Sequence, residues 1–472
     1  MAPKFGTSGL RGLVTELTPD LITDYTRAFL TVCPHGGGLW LGRDLRESSP
    51  EIAAMVAEAA SASGISVFDC GALPTPTLAL AAQVHSQAAV MVTGSHIPAD
   101  RNGLKFYTAA GEITKSDEMA ILAMLGTKTD LTLITGKIAT DPQAVPAYIA
   151  RYVQGFGTSA LAGLRIGIWE HSSVARDILA EILTACGAEI VRLGRSEQFV
   201  PVDTEAVDTA TRFQLAGWAT AHQLDALVST DGDADRPMLS DANGQIIPGD
   251  ILGPLTAAIL DAQVVVTPVS SNTAIDLVGR YQVIRTKIGS PYVIAEIAAA
   301  LAKNPADRVV GYEANGGFLL GFDAQGPAGP LPALITRDSL LPILAPLAAA
   351  RAAKLSLAEL VTNLPPRFTA ADRMQAVEPD TAQRVLAQLR AAPAGLLTTA
   401  GMEPEADRDE TDGLRLIDWG GTVLHLRPSG NAPEFRVYVE ANSSDRAETV
   451  LAAALDALQE CMSNGIEKGL HL

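Results

Sequence analysis

The sequence predicts an α/β protein with three similar mixed-sheet α/β/α domains and a smaller C-terminal α+β domain around a central cleft. Two observations lead to this prediction. A short apolar strand, a loop, a helix and further strands recur three times along the 472 residues, and each copy ends in a polar, glycine-containing loop. The rest of the chain follows a different order of helix, strand pair, strand and helix. Strands that alternate with helices are typical of sheets covered on both faces, and three polar loops at strand ends suit one shared cleft.

The individual elements follow from short apolar runs, helical periodicity and the turn residues between them. In the first copy they are the strand 39–42, the helix 51–62 and the strands 65–68 and 88–92. In the second copy they are the strand 164–169, the helix 174–185 and the strands 189–193 and 226–228. In the third copy they are the strand 264–266, a helix beginning at 274–278 and the strands 283–286 and 309–311. The C-terminal part holds a helix at 382–391, a strand pair at 414–426, a strand at 435–440 and a last helix at 447–462.

Breaks in this pattern divide the chain into domains. A chain of this length is expected to form about three domains, with one more or fewer. Linkers are expected near residues 126–142, 243–248 and 363–371. The predicted domains are residues 1–135, 140–243, 244–362 and 367–472.

Composition narrows the class of protein. The net charge of −18, from 35 basic and 53 acidic residues, disfavours nucleic acid or an anionic membrane surface as a partner. The four cysteines lie far apart without a Cys-x-x-Cys pair, which argues against a zinc site or a disulfide framework. No apolar run is long enough to span a bilayer and no signal segment is visible, so we expect a cytoplasmic location. A few arginines can still form a local site for an anionic small substrate.

The loop after the strand at 88–92 is the most informative stretch of the chain. It reads Thr93-Gly94-Ser95-His96 and places a hydroxyl beside an imidazole, with Lys105 close enough to return to the same pocket. Loops at strand ends of an α/β scaffold commonly carry catalytic groups. A serine nucleophile also needs a positioned base or a metal, so this dipeptide alone favours an ordinary turn serine. It is not the Gly-x-Ser-x-Gly elbow of hydrolases.

A second polar loop alternates carboxylates with small residues. Its three carboxylates are Asp231, Asp233 and Asp235. They can turn inward together because Gly232 lets the backbone fold tightly, and three hard oxygen ligands suit Mg²⁺. A calcium-binding EF-hand loop would need a glutamate where this chain has Ala242. The alternative is a solvated acidic turn, but the apolar strand before the loop and Arg236 after it favour a metal site.

Four weaker signals lie elsewhere. The run Arg427-Pro428-Ser429-Gly430-Asn431 suits either a phosphate cradle or a hairpin turn. Glu313 and Asn315 stand in a glycine-rich loop, where they could take two neighbouring sugar hydroxyls or simply form the loop, and Lys287 is an equally weak signal. Arg11 lies in the glycine-rich segment 6–12, which does not fit a dinucleotide-binding pattern and suits a phosphate-binding turn.

Taken together and in order, these segments resemble the α-D-phosphohexomutase family, the phosphomannomutase and phosphoglucomutase enzymes. The family's patterns are an N-terminal FGTxGxRG-like segment, TASHNP…NGxK, DGDxDR, GExSG and RPSGTEP. They correspond to residues 5–12, 93–105, 231–236, 312–317 and 427–433 of this chain. Five motifs in the right order over nearly the whole chain are far more specific than any one of them. Residues 312–317, the predicted sugar loop, and Thr336-Arg337-Asp338 look most like the corresponding segments of bacterial phosphomannomutases.

The resemblance implies a reaction and a role for each residue. The implied reaction interconverts hexose 1-phosphate and hexose 6-phosphate through a phosphoserine and a 1,6-bisphosphate, with mannose as the expected hexose. The implied catalytic residues are Ser95, His96, Lys105 and Arg11. The implied substrate-binding residues are Arg236, Lys287, Glu313, Asn315, Arg427, Ser429, Gly430 and Asn431. The implied ligands of one Mg²⁺ per subunit are Ser95, Asp231, Asp233 and Asp235.

The chain also departs from the family's pattern. The departures are Gly94 and Ile97 in the serine loop (residues 93–105) and Asn431 and Ala432 in the phosphate loop (residues 427–433). In the sugar loop, Asn315 stands in place of the family's serine. Because the sugar loop distinguishes sugars in this family, a phosphoglucomutase or a phosphoglucosamine mutase is an alternative. A non-catalytic sugar-phosphate binder and a metal-dependent phosphatase are the others. A phosphosugar substrate, a hexose 1,6-bisphosphate activator and a monomer or homodimer are expected.

Overall fold

The computed structural model of the chain describes residues 3–6, 9–127, 135–428 and 434–463. The chain forms two compact units. The larger unit is Met1–Val266 with Ser290–Asn363, and the smaller unit is Thr267–Gly289 with Leu364–Leu472. The larger unit contains two α/β modules and most of a third, and the smaller unit contains the C-terminal sheet. Within the described ranges, no helix combines the length and the apolar character needed to cross a bilayer.

The first module is built on one mixed sheet. Its elements are β1 (Lys4–Phe5), β2 (Leu10–Leu13), a 3₁₀ helix (Val14–Glu16), α1 (Pro19–Val32), β3 (Gly38–Arg43), α2 (Ser49–Ala62), β4 (Ser66–Ala72), α3 (Thr75–His85), β5 (Ala88–Val92), β6 (Arg101–Thr108), β7 (Gly111–Glu112), α4 (Lys115–Met124) and β8 (Ile138–Thr140). The strand order is β1-β2-β6-β5-β3-β4-β8, with β7 beside β6. The strands β3, β4, β5 and β8 are parallel, whereas β1, β2 and β6 pair antiparallel.

Local sequence accounts for the central strand and the helix starts of this module. Every residue of β5 is buried, as its uninterrupted apolar run predicts for a central strand covered on both faces. The Thr18 side chain accepts a hydrogen bond from the Leu21 amide at the start of α1. At the start of α4, Thr114 and Asp117 form a reciprocal capping box. These caps satisfy amides that the first turn of a helix leaves without a partner.

The second and third modules repeat the arrangement with smaller sheets. The second consists of α5 (Ala144–Phe156), β9 (Arg165–His171), α6 (Arg176–Ala185), β10 (Glu189–Arg195), α7 (Thr209–His222), β11 (Ala226–Thr230) and β12 (Pro237–Ser240), in the strand order β10-β9-β11-β12. The third consists of α8 (Gly249–Ile259), β13 (Val264–Pro268), α9 (Ala274–Leu277), β14 (Gln282–Thr286), α10 (Ser290–Lys303), β15 (Val309–Tyr312), β16 (Phe318–Leu320), β17 (Ala324–Gln325), β18 (Pro330–Leu331), β19 (Leu334–Asp338), α11 (Leu341–Ala353) and α12 (Leu357–Val361). Within the larger unit, β13, β15, β16 and β19 are neighbours in that order.

The C-terminal sheet of the smaller unit is antiparallel. Its elements are β20 (Phe368–Gln375), α13 (Pro379–Ala391), α14 (Ala394–Thr399), β21 (Glu405–Asp409), β22 (Leu414–Asp418), β23 (Val423–Pro428), β24 (Glu434–Ala441) and α15 (Ser444–Ser463), with the strand order β20-β24-β23-β22-β21. In β24, Phe435, Val437 and Val439 are buried and alternate with half-buried residues. This period of two places one face of the strand in the core and the other towards solvent.

The predicted α/β class, with three mixed-sheet α/β/α modules and a smaller C-terminal α+β part, is confirmed, and the principal strands lie where they are expected. β5 has the predicted bounds, and β11 extends the predicted 226–228 by two residues. One expectation is wrong: residues 138–140 are expected in a linker, but they form β8 and pair with β4. In the segment 6–12, residues 10–12 belong to β2, which pairs with β1 and β6, and phosphate binding by this segment stays a prediction. Both β2 and β8 are short strands whose partners lie elsewhere in the chain.

The buried imidazole of His425 makes the stability of the smaller unit depend on pH. His425 is 2% exposed, and its Nε2 lies 2.6 Å from the Asp412 carbonyl oxygen. Burial lowers the pKa of His425 from 6.5 to about 4. Between these two values the unfolded chain binds more protons than the folded chain. The folded state therefore loses stability as the pH falls through this window and keeps it above pH 6.5.

We expect His425 to contribute a loss of up to about 3 kcal/mol in the free energy of unfolding between pH 7 and pH 4. His425→Gln removes the titrating group, so its melting temperature should fall less between pH 7 and pH 4.5 than that of the wild type. Calorimetry at the two pH values measures the difference. His222→Gln, a half-buried histidine of the larger unit, is the matched control. Equal falls in His425→Gln and the wild type would contradict the assignment.

Candidate active site

Three polar loops stand at the carboxyl ends of parallel strands in the larger unit. Ser95 lies in the loop after β5, Asp231 directly follows β11, and Glu313 directly follows β15. This edge of a parallel sheet is where α/β folds place reactive groups, because rigid strands hold loops that are free to vary.

The Ser95 hydroxyl lies beside residues 231–235, which form the acidic loop. Ser95 Oγ donates a hydrogen bond to Asp231 Oδ2 at 2.7 Å, and His96 Nδ1 lies 3.4 Å from the same hydroxyl oxygen. Ser95 is 1% exposed. The serine loop and the acidic loop, 136 residues apart along the chain, therefore form one site.

A buried aspartate that the sequence analysis missed holds the serine loop. Asp44 Oδ2 accepts hydrogen bonds from Thr93 Oγ1 at 2.8 Å and from the Gly94 amide at 3.3 Å. Thr93 Oγ1 in turn accepts a hydrogen bond from the Ser95 amide at 2.8 Å. Asp44 comes directly after β3, so a polar residue at the end of a predicted strand was the available signal.

The acidic loop keeps three carboxylates in the protein interior. Asp231, Asp233 and Asp235 are each 0% exposed, and one oxygen of each lies within 4.8 Å of the others. Within the described part of the chain, Asp233 Oδ1 and Asp235 Oδ1 are buried without a hydrogen-bond partner. Buried anionic oxygens without donors are unfavourable, and a shared cation satisfies them. The donor set therefore fits a divalent metal ion that prefers hard oxygen ligands.

Lys105 compensates part of the negative charge of this loop. Lys105 Nζ donates to Asp233 Oδ2 and to Asp235 Oδ2, both at 2.6 Å. Burial by itself lowers the pKa of Lys105, but the two carboxylates outweigh burial and raise it. Lys105 is therefore a cation in this structure, and its catalytic role stays a prediction.

The first and second modules both hold the acidic loop in place. Thr75 Oγ1, at the start of α3, donates to Asp233 Oδ2 at 2.6 Å, and the Thr75 amide donates to the Asp233 carbonyl at 2.9 Å. The Val174 amide of the second module donates to the Gly232 carbonyl at 3.2 Å. These contacts could not be predicted from the sequence, because neither Thr75 nor Val174 belongs to a motif of its own.

The third module supplies two more partners. Ser339 Oγ donates to the Ala234 carbonyl at 2.7 Å. Arg337 Nη2 lies 2.7 Å from Asp235 Oδ2, and its Nη1 donates to Glu313 Oε2 at 3.3 Å. Arg337 therefore joins the acidic loop to the predicted sugar loop. Arg337 was predicted only as part of the resemblance of Thr336-Arg337-Asp338 to bacterial phosphomannomutases, without a role of its own.

The electrostatics of the carboxylates follow from burial and from their neighbours. Burial and the charges of Asp233 and Asp235 raise the pKa of Asp231 well above its usual value. Burial acts in the same direction on Asp233, but the Lys105 ammonium outweighs it and lowers the pKa of Asp233. A cation shared by the three carboxylates would favour the ionised form of each one.

Cations surround the other side chains that were predicted to be catalytic. The Arg236 guanidinium, then burial, then Arg11 lower the pKa of His96, so its imidazole is neutral at pH 7. Burial and the charge of Arg236 lower the pKa of Arg11 to about 10. Arg236 Nε lies 3.8 Å from Asp235 Oδ1. This concentration of positive charge beside buried carboxylates suits an anionic group of a substrate.

Polar side chains shape the predicted sugar loop from within. Asn315 Oδ1 accepts a hydrogen bond from the Gly317 amide at 3.0 Å, and the Asn315 carbonyl accepts one from Thr204 Oγ1 at 3.1 Å. A sugar contact from Asn315 would therefore come from its Nδ2 amino group. Glu313 and Asn315 are both buried. Their binding of sugar hydroxyls stays a prediction.

Lys287 and Arg427 belong to the smaller unit, where Asp412 joins the segments that carry them. Arg427 Nε donates to Asp412 Oδ1 at 2.9 Å, and the amide of Ile288, next to Lys287, donates to Asp412 Oδ2 at 2.9 Å. One carboxylate therefore fixes both cationic segments. The remaining residues of the predicted phosphate loop, Ser429, Gly430 and Asn431, lie outside the described residues.

Known sequences and structures share this architecture. The phosphomannomutase of Sinorhizobium fredii is 46% identical over 98% of this chain and 100% of its own length. The phosphomannomutase of Salmonella muenchen is 43% identical over 95% of each chain. A crystal structure of a phosphoglucomutase/phosphomannomutase family protein from Burkholderia thailandensis has a TM-score of 0.75 at 20% identity, over 97% of this chain and 98% of that one. This last likeness shows the same fold.

The sequence models of one family match the chain in four consecutive parts. They are phosphoglucomutase/phosphomannomutase α/β/α domain I at residues 2–131, domain II at 146–244, domain III at 248–368 and the C-terminal domain at 372–457. The four matches follow the order of the three modules and the C-terminal sheet. The chain therefore belongs to the phosphoglucomutase/phosphomannomutase family.

Proposed function

We propose that this protein is a phosphohexomutase that interconverts hexose 1-phosphate and hexose 6-phosphate, with mannose as the preferred hexose. One observation carries the proposal: Ser95 Oγ lies 2.7 Å from Asp231 Oδ2, beside three buried carboxylates. Phosphoryl transfer depends mainly on positioning and on neutralising the charge of the phosphoryl oxygens. A buried hydroxyl at the edge of an acidic loop and beside several cations suits a residue that carries a phosphoryl group.

In the proposed reaction, phosphorylated Ser95 gives its phosphoryl group to the free hydroxyl of a hexose monophosphate. The bond between phosphorus and the Ser95 oxygen breaks, a bond to the sugar oxygen forms, and a hexose 1,6-bisphosphate results. Neutral His96 would accept the proton of the sugar hydroxyl and return a proton to the Ser95 oxygen as it leaves, since its Nδ1 lies 3.4 Å from Ser95 Oγ. The bisphosphate then turns over, its other phosphoryl group returns to Ser95, and the isomer leaves.

We propose that Ser95, Asp231, Asp233 and Asp235 hold one Mg²⁺ per subunit. The two carboxylate oxygens without a hydrogen-bond partner among the described residues favour a cation here. When bound, the ion supplies positive charge for the phosphoryl oxygens. Lys105 and Arg337 orient the Oδ2 atoms of Asp233 and Asp235. Arg11 would steer the intermediate, and Arg236 would contact the sugar.

The substrate assignment rests on the cationic segments and on the relatives. Arg427 would bind the phosphate that does not react, together with Ser429, Gly430 and Asn431, while Lys287, Glu313 and Asn315 would contact the sugar. Mannose is favoured because two relatives above 40% identity are named phosphomannomutases. We further propose a cytoplasmic monomer or homodimer, primed at Ser95 by a hexose 1,6-bisphosphate, with domains at 1–135, 140–243, 244–362 and 367–472.

Ser95→Ala should lower kcat at least about a thousandfold because the phosphoryl acceptor is lost. A coupled assay on mannose, glucose and glucosamine 1-phosphates, with a trace of the matching 1,6-bisphosphate, measures both this loss and the preferred sugar. Ser116→Ala, an exposed serine of α4, is the control and should keep full activity.

Three outcomes of this assay would contradict parts of the proposal. An active Ser95→Ala would remove the role of the serine. Release of inorganic phosphate in place of an isomer would indicate a phosphatase. Faster turnover of glucose or glucosamine 1-phosphate than of mannose 1-phosphate would replace the substrate assignment.

Asp233→Asn should raise the Mg²⁺ concentration that gives half-maximal activity by about tenfold or more, since a charged oxygen ligand becomes a neutral amide. Activity measured across a Mg²⁺ titration tests this. Asp24→Asn, an exposed aspartate of α1, is the matched control. If Asp233→Asn kept the wild-type titration curve, the metal assignment would be wrong.

Arg427→Ala should raise the KM for the hexose phosphate by about ten- to a hundredfold, because a charged hydrogen-bond donor to the phosphate is lost. Steady-state kinetics in the same assay give KM and kcat separately. Arg384→Ala removes an exposed arginine of α13 in the same unit and should leave KM unchanged. An unaltered KM in Arg427→Ala would remove this arginine from the phosphate site.

A further inference from the structure

We propose that Arg46 is a positioning residue for Ser95: it fixes the backbone of the serine loop and rests on Phe199, which packs against the acidic loop. The inference relies on the proposed function, because it assumes that Ser95 carries the phosphoryl group. Among the described residues, the Arg46 guanidinium donates to backbone carbonyls of the loop and not to Ser95 Oγ, so it acts through the backbone of the loop.

The Arg46 guanidinium donates hydrogen bonds to three backbone carbonyls of the serine loop. Its Nη2 donates to the carbonyls of Ser95 at 2.9 Å and Ile97 at 2.7 Å, and its Nη1 donates to the Pro98 carbonyl at 2.8 Å. Its Nε donates to Asp44 Oδ2 at 3.1 Å. The side chains of Arg46 and Asp44 are both 0% exposed, so each charge has its partner without water. Only a planar group with several donors makes four such contacts at once.

The backbone that Arg46 holds is one that an L-residue adopts at a cost. Ser95 has a φ of +54°, in the left-handed region that residues with a Cβ rarely occupy. Such a conformation persists when the surroundings over-determine it, and it is typical of functional sites. The bond from Arg46 to the Ser95 carbonyl acts directly on this residue, and the bond to Ile97 acts on the turn that follows it.

Two glycines leave the space that this arrangement requires. A Cβ on Gly94 would lie 2.7 Å from Arg46 Cζ, so a side chain at this position would displace the guanidinium from its present place. A Cβ on Gly232 would lie 2.9 Å from Phe199 Cε2 and 3.0 Å from the Ser95 carbonyl oxygen. The serine loop, the Phe199 ring and the acidic loop therefore touch without a gap.

Phe199 connects the guanidinium to the acidic loop. Arg46 Cζ lies 3.9 Å from the centroid of the Phe199 ring, within the range of a cation–π contact. The ring comes from the second module, which also carries Gly232 and Asp231. Arg46 therefore packs against the module that provides the partner of Ser95 Oγ. A displacement of about 1 Å between reacting groups can lower the rate about a hundredfold, so this packing helps to keep the 2.7 Å contact of Ser95 with Asp231.

Arg46→Lys tests the inference because it keeps a positive charge for Asp44 and loses the fork that reaches three carbonyls. We expect kcat to fall by about ten- to a hundredfold, while KM for mannose 1-phosphate changes by less than about threefold. The rate at which glucose 1,6-bisphosphate phosphorylates Ser95, followed by mass spectrometry, should fall in proportion to kcat. Arg308→Lys, a surface arginine of the same unit, is the control and should match the wild type.

Phe199→Leu provides a second variant in case Arg46→Lys does not fold. It leaves every hydrogen bond of Arg46 in place and removes only the ring, so kcat should fall by about three- to tenfold without a change in KM. Thermal melting identifies which variants are folded. For a folded Arg46→Lys, a wild-type kcat with a wild-type rate of Ser95 phosphorylation would overturn the inference, and so would a rise in KM at constant kcat.

If only Phe199→Leu folds, an unchanged kcat in that variant overturns the inference. Failure of the proposed function gives a different result. In that case the wild-type protein itself would neither acquire phosphate on Ser95 nor isomerise a hexose phosphate. The wild-type measurement therefore separates the two.

Discussion

The burial of three carboxylates in one short loop is the constraint on which the rest of the larger unit depends. Asp231, Asp233 and Asp235 have no access to solvent, so their charge must be met by other groups of the protein or by a bound ion. Lys105 and Arg337 meet part of it with contacts of 2.6–2.7 Å. Two oxygens remain without a hydrogen-bond partner among the described residues, and this residual negative charge suits a bound cation.

All three modules of the larger unit contribute to holding this loop. The partners of the acidic loop come from every module: Lys105 and Thr75 from the first, Val174 from the second, and Arg337 and Ser339 from the third. A loop held in this way cannot keep its geometry if one module moves away. The smaller unit uses the same principle on a lesser scale, since Asp412 fixes the segments of both Lys287 and Arg427.

Much of the fold and the reactive groups could be predicted from local sequence. Central strands such as β5 and β11 are continuous apolar runs, and burial on both faces requires such runs wherever the strand pairs. Ser95 and the three aspartates stand at the ends of these strands, where polar residues in tight turns are conspicuous. The short strands β1, β2 and β8 were not predicted as strands, because their pairing depends on partners far along the chain and leaves little local pattern.

By itself, the sequence determined which segments are buried and which chemical groups stand at their ends, because apolar periodicity and turn chemistry are local properties. Only the tertiary structure decided which ends meet. The hydrogen bond from Ser95 to Asp231, the clasp of Thr75 on Asp233 and the fork of Arg46 on the serine loop each join residues about 50 or more positions apart. A contact over such a separation has no spacing rule, since it depends on how whole modules pack against one another.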